Sequence, residues 1–348
     1  MIKRICTIIV ILLFSACLTA CFRPDGKGNA DEAPELVHFE PVTEVVEGRK
    51  DIYLILKVID SNYWQVIIKG AKAAGADLGC NVYCGGTTNE TDWKGQHVLV
   101  EEALSKDPDA VIISPDDSTE IAVDVDKIHS CGLPVILIDT AANTESFDTC
   151  FMTDNILAGQ NAAEEMLSEL ASAGHGENEE LSVGIMVGYA KSFTINERLA
   201  GFYQYWANHA PEKWTIASDI MNCNGDIENG KKLTEAFLAK HPEVSGLYGT
   251  NNTPTRALCS MVKEKGRTDV AIVGFDYSDE LRELIESPEY NASSILQRQY
   301  DMGYFAVETA MNIFDGIAPP VKFKDTGVVK VNRENLKDPE VAEVLKLN

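Results

Sequence analysis

The sequence predicts an α/β chain of two doubly wound lobes, each a parallel β-sheet covered on both faces by helices. Three observations predict it. Short runs such as Val270-Ala271-Ile272-Val273 are apolar without alternation, as a strand buried on both faces must be. These runs alternate with helix-length amphipathic stretches, the pattern of right-handed βαβ units. The alternation passes through five strands and then begins again, in 348 residues that suffice for two domains.

In the first half, strands are expected at residues 51–58, 81–83, 110–114, 134–138 and 150–153, with helices at 63–78, 93–106 and 118–130. In the second, a long helix at 156–173 and a polar, Gly-rich loop at 174–180 precede strands at 183–187, 215–220, 245–248 and 270–273. Helices at 194–209, 227–240 and 255–265 separate them. A final strand at 292–296, helix at 300–314 and strand at 326–331 exceed what the second sheet still needs.

Several strands deliver polar side chains at their carboxyl ends, where ligands of open parallel sheets bind. Gly274 is read as the turn that brings out Asp276; Val135-Ile136-Leu137-Ile138 delivers Asp139-Thr140, and Gly246-Leu247-Tyr248-Gly249 delivers Thr250-Asn251-Asn252. Such a set describes a small polar ligand held among strand ends. The competing reading of Asp276 is a cap for the helix that Ser278-Asp279-Glu280 would begin.

The amino terminus reads as a signal peptide over residues 1–20: Lys3 and Arg4 lead an apolar run, Ile8 to Phe14, too short to span a bilayer comfortably. Leu18-Thr19-Ala20-Cys21 resembles the bacterial lipobox, which implies cleavage before Cys21 and lipid on its sulfur. Residues 21–50, acidic and carrying Gly and Pro, are expected to be a flexible tether. The protein is therefore expected outside the cytoplasm, lipid-anchored to the bacterial cell membrane.

The formal charge of −24 becomes more negative when Lys3 and Arg4 leave. Such a field repels phosphate backbones and excludes nucleic acid as a partner. Of nine cysteines, six remain after Cys6, Cys17 and the lipidated Cys21 are set aside. Cys80 and Cys84 would stand ~13 Å apart along a strand, too far to bridge. No CxxC pair and no His spacing suggests a metal, and no cofactor is expected. Asn222-Cys223-Asn224-Gly225-Asp226 has alternating oxygen side chains, but Ile227 stands where a calcium loop needs glycine, so Asp226 is read as a helix cap.

Seven short motifs in order resemble the periplasmic-binding-protein type I superfamily, and within it sugar-binding lipoproteins similar to ribose-binding protein. They are Ser61-Asn62-Tyr63-Trp64, Ile138-Asp139, Thr153-Asp154-Asn155, Asn196-Glu197-Arg198-Leu199-Ala200-Gly201-Phe202, Thr250-Asn251-Asn252, Val273-Gly274-Phe275-Asp276 and Ile295-Leu296-Gln297. The resemblance runs from residue 51 to the end. It implies a three-strand hinge crossed near Asp154, Gln297 and Asp325-Thr326. The N-terminal lobe would then hold residues 51–154 and 298–325, and the C-terminal lobe 155–297 and 326–348. It also implies a monomer that closes over a monosaccharide-like ligand and delivers it to the permease of an ABC importer.

Carried over by motif, the ligand-binding residues are Ser61, Tyr63, Trp64, Asp139, Thr140, Arg198, Asn251, Asp276 and Gln297. At least one ring of Tyr63 and Trp64 would cover the C–H face of a sugar. Asp139 and Asp276 would accept from hydroxyls, Arg198 would span two oxygens, and the amides of Asn251 and Gln297 would both donate and accept. Gln297 has a hinge role as its alternative, and Asp154 is placed in the hinge. Two departures from the ribose-binding pattern stand out: Thr140 replaces an Arg after Asp139, and Asn224-Gly225 replaces an aromatic. They imply a roomier site with one charge-paired donor fewer. The alternatives are a sensor subunit for a membrane receptor or histidine kinase, a non-sugar ligand such as a nucleoside, and an enzyme on this scaffold, which would need a nucleophile or metal set that no motif supplies.

Overall fold

The computed structural model describes residues 35–347; the expected signal peptide, Cys21 and the start of the tether lie outside the described residues. Strand β1 (Leu36–Pro41) corrects the expectation of a tether through residue 50. It pairs antiparallel with β3 (Asn81–Thr87), and Phe39 meets the ring of Tyr53 edge-on at 4.9 Å. The acidic composition concealed a strand because only one of its faces is covered.

Beside β3 stand β2 (Asp51–Val58), β4 (Ala110–Ile113), β5 (Val135–Ile138) and β6 (Thr149–Met152), all parallel, in the order β3-β2-β4-β5-β6. Their cores are fully buried, which is why they read as unbroken apolar runs. Helices α1 (Asn62–Leu78), α2 (Trp93–Ser105) and α3 (Ala122–Ser130) connect them. After α4 (Asn155–Ser172) the plan repeats with β7 (Leu181–Val187), α5 (Phe193–His209), β8 (Trp214–Ile216) and β9 (Met221–Asn222). It continues with α6 (Ile227–Lys240), β10 (Val244–Gly249), α7 (Asn252–Glu264), β11 (Ala271–Phe275), α8 (Asp279–Glu286) and β12 (Ala292–Gln297). The second sheet runs β8-β7-β10-β11-β12, the same order as the first, with β9 also beside β7.

The final segments divide between the sheets. Helix α9 (Gln299–Phe314) packs on α1, β13 (Phe323–Asp325) extends the first sheet beside β6, and β14 (Val328–Asn332) lies antiparallel to β12. A last helix, α10 (Pro339–Leu347), places Val341 and Val344 in the core under β14. The chain thus crosses between sheets after β6, after β12 and after β13. The crossings are bonded to one another: Asp325 Oδ1 accepts from the Asp154 and Gly327 amides, and Thr153 Oγ1 donates to Gln297 Oε1 at 2.9 Å.

In each lobe one helix pair touches backbone to backbone. A Cβ on Gly70 of α1 would lie 2.0 Å from the Tyr300 carbonyl oxygen of α9, and one on Gly201 of α5 would lie 2.0 Å from the Ile156 carbonyl of α4. Alanine is the better helix former by ~1 kcal/mol, but here it must push two helices apart. We expect Gly70→Ala and Gly201→Ala each to lower the thermal midpoint, at a net cost of about 1–3 kcal/mol; an unchanged or higher midpoint would show that the helices separate freely.

Candidate functional site

The carboxyl ends of both sheets border one cleft of about 600 Å³. The two acids expected there occupy equivalent places. Asp139 follows β5 and Asp276 follows β11, the fourth strand in the matching orders β3-β2-β4-β5-β6 and β8-β7-β10-β11-β12. Each has φ of 64°, in the left-handed region that Asp tolerates better than most residues. Each donates its amide to the strand that follows it in that order, Asp139 to Phe151 O at 2.8 Å and Asp276 to Ile295 O at 2.9 Å. The turn is therefore made by the aspartates themselves. Gly274 lies within β11 and serves packing, since a Cβ there would sit 2.4 Å from Thr255 Cγ2. Nor is Asp276 a helix cap: Ser278 caps α8.

Around Asp139 the first lobe supplies three donors. Tyr63 Oη donates to Oδ1 at 2.5 Å, and Thr140 Oγ1 and Lys57 Nζ donate to Oδ2 at 2.7 and 2.9 Å. Burial pushes this carboxyl up, but the charge of Lys57 and these hydrogen bonds outweigh it and hold Asp139 below the usual carboxylate range. Lys57 is raised in turn: burial works against its charge, and Asp139, Glu90 and Asp116 overcome that. The Thr140 hydroxyl also accepts from Lys57 at 2.8 Å, so Thr140 stands behind Asp139 and does not border the cleft. This corrects its reading as a ligand contact. The supposed missing charged donor is corrected as well, because Lys57 at the end of β2 provides it. Its signal in the sequence was a lysine interrupting an otherwise apolar strand.

In the second lobe Arg198, on α5 and only 4% exposed, donates Nε to Asn155 Oδ1 at 2.8 Å. Its terminal nitrogens donate to Thr250 O and Gln297 Oε1, both at 2.9 Å. Its guanidinium lies 3.9 Å from the centre of the Phe275 ring. Gln297 Nε2 then donates to Asp276 Oδ1 at 2.8 Å. Burial pushes Asp276 up to about 6, opposed by Arg198 and the Gln297 bond and reinforced by Asp139 and Glu90.

Ser61, Tyr63, Trp64, Asp139, Arg198, Asn251, Asp276 and Gln297 all border the cleft. Trp64 is nearly buried, edge-on to Tyr63 at 4.9 Å, with Lys57 5.6 Å from its ring. Asn251 fits because Gly188 opposite it has no side chain. Sequence reading missed Lys57 and Glu90, and it missed Tyr189 and Thr194, whose neighbours carried no motif. Asn224-Gly225 forms a left-handed turn at the rim, and Asp226 caps α6 by accepting from the Asn229 amide.

Elsewhere, His97, Glu101 and Asp124 bring ligand atoms within 4.8 Å of one another, a grouping that spacing could not show because Asp124 arrives from the next helix. His97 already bonds Asp124, and Lys127 already pairs with Glu101. Of the six described cysteines only Cys131 is exposed, and all are free. Among the described residues no helix is long and apolar enough to cross a membrane.

Residues 52–318 match the family described as periplasmic binding protein domain. The ribose import binding protein of Bacillus subtilis is 23% identical over 337 residues, covering 92% of this chain and 98% of that protein. The D-ribose/D-allose-binding protein of Pseudomonas aeruginosa is 25% identical over 338 residues, 94% of this chain and 98% of that protein. The fold is similar, with a TM-score of 0.80 and 26% identity, to a carbohydrate transporter solute-binding protein of Agrobacterium radiobacter in complex with D-arabinose; the match covers 86% of this chain and 99% of that one.

The unequal states of the two acids give a pH test. A proton held by folded Asp276 and released by the unfolded chain makes stability fall as pH rises from about 4 to about 6. Asp276→Asn removes this dependence. Denaturant unfolding across that range should show the wild type losing on the order of 2–3 kcal/mol relative to the variant, with a constant difference above pH 6; parallel curves would refute the raised carboxyl.

Proposed function

Since this chain belongs to the periplasmic binding protein domain family, we propose that it is an extracytoplasmic, lipid-anchored solute-binding protein that captures an uncharged monosaccharide-like ligand for an ABC importer. Its work is capture and closure, and no bond is made or broken. One observation carries the reading: two lobes present equivalent strand-end aspartates, Asp139 and Asp276, to a single cleft across a hinge.

The state of each polar group narrows the ligand. Lys57 and Arg198 direct most of their donors to protein oxygens. Among the described residues, nothing donates to Asp276 Oδ2. The open positions are therefore mainly acceptors, which suit hydroxyl donors and disfavour phosphorylated or acidic sugars. Tyr63 and Trp64 add an aromatic wall for the C–H face of a ring. The sugars named for the relatives, ribose, allose and arabinose, are neutral compounds of this class.

A thermal-shift screen of pentoses, hexoses, polyols, sugar phosphates and nucleosides tests this. A true ligand at a hundredfold excess over its dissociation constant adds ~2.7 kcal/mol of stability. We expect a neutral sugar to give that shift, Asp276→Asn to abolish it without lowering the ligand-free midpoint, and affinity to decline below about pH 6 as Asp276 takes up its proton. A response to nucleosides or sugar phosphates alone would sink the monosaccharide reading. Anchoring is tested separately: Cys21→Ser should move the protein from the membrane fraction to the soluble one.

A further inference from the structure

One wall of the cleft is held by a part of the chain that the family match leaves out. The match begins at residue 52, after β1. Leu36 pairs with Thr87 and Val37 with Gly86, so the amino end of β1 lies where β3 reaches the cleft. The next hydroxyl, Thr88 Oγ1, donates to Glu35 O at 3.3 Å. At the far end of the loop Asp92 caps α2 by accepting from the Gly95 amide at 3.0 Å. Leu36 packs there too: a Cβ on Gly95 would lie 2.6 Å from Leu36 Cδ2. Residues 35 and 36 thus meet both ends of the loop at 88–91, through the backbone at Thr87 and Thr88 and through the Leu36 side chain at Gly95.

That loop lines the cleft, and Glu90 is its charged member. Glu90 is half-buried, and it feels the charges of Lys57, Asp139 and Arg198. Yet among the described residues no hydrogen bond or ion pair engages its carboxylate. Its neighbours are constrained: Thr87 Oγ1 donates to Asn89 O at 3.0 Å, and Asn89 Oδ1 accepts from the Thr91 amide at 2.9 Å. An acid held at the cleft by an ordered loop, with its acceptor positions open, is placed for a donor that the ligand brings.

We propose that β1 braces this wall and that Glu90, which the wall presents, is a determinant of ligand affinity and selectivity in the first lobe, with Leu36 as its positioning residue. This rests on the reading of the cleft as a binding site for a polyhydroxylated ligand.

The test is a double-mutant cycle in the full chain, read by calorimetric Kd for the tightest binder among D-ribose, D-allose, D-arabinose and D-fucose. Glu90→Gln should weaken binding about tenfold, the size of one charge-assisted hydrogen bond, with the thermal midpoint unchanged or raised. Leu36→Ala should weaken binding several-fold, and the double variant should be no weaker than Glu90→Gln, because the brace acts through the acid. Phe39→Ala, which removes the packing on Tyr53, should lower the midpoint and leave Kd within about twofold. Multiplicative losses, wild-type affinity in Glu90→Gln, or a Leu36→Ala effect confined to the midpoint would each overturn the proposal. If no sugar binds the wild type, the polyol reading and the role of Glu90 fall together. Hydrogen exchange of the amides at 87–92 without ligand then decides the brace: lost protection in Leu36→Ala supports it, and unchanged protection overturns it.

Discussion

A guanidinium buried at the floor of the cleft organises this molecule. Burying an unpaired charge costs several kcal/mol, and Arg198 avoids that cost through partners drawn from every part of the second lobe and the hinge. Asn155 follows the first crossing, Thr250 follows β10, Gln297 ends β12, and Phe275 supplies a ring face. The consequence reaches the cleft. Because Gln297 Oε1 must accept from Arg198 and Thr153, its amide nitrogen is turned toward Asp276. The Asp276 carboxylate at the cleft is thus oriented by a residue that is itself bonded to the first crossing.

The two lobes show how one backbone device yields two electrostatic results. Asp139 and Asp276 share a strand position, a left-handed φ and an amide bond to the neighbouring strand. What differs is the distance to a cation. Lys57 touches Asp139 and keeps it ionised, whereas Arg198 reaches Asp276 only through Gln297 and leaves it close to neutrality in its titration. The cleft therefore presents one carboxylate held below the usual carboxylate range and one pushed up to about 6.

Much of the fold was legible because parallel strands buried on both faces must be apolar throughout, and because helix periodicity separates them. The elements that went unread are those with weak burial constraints. Strand β1 and the edge strand β13 are largely exposed. In the site, strand-end acids and amides were readable as polar residues closing apolar runs. Thr140 was misassigned because its neighbour in sequence, Asp139, is also its neighbour in space and takes its hydroxyl.

The sequence by itself determined the alternating strands and helices, the polar ends of the strands and the acidic surface, since these follow from local periodicity and composition. Only the tertiary structure decided which partner each polar group has. Lys57 and Asp139 are eighty-two positions apart, and Arg198 and Gln297 ninety-nine. No local pattern ties such residues together; they meet because two sheets turn their carboxyl ends toward one cleft, where burial makes every unmatched charge costly.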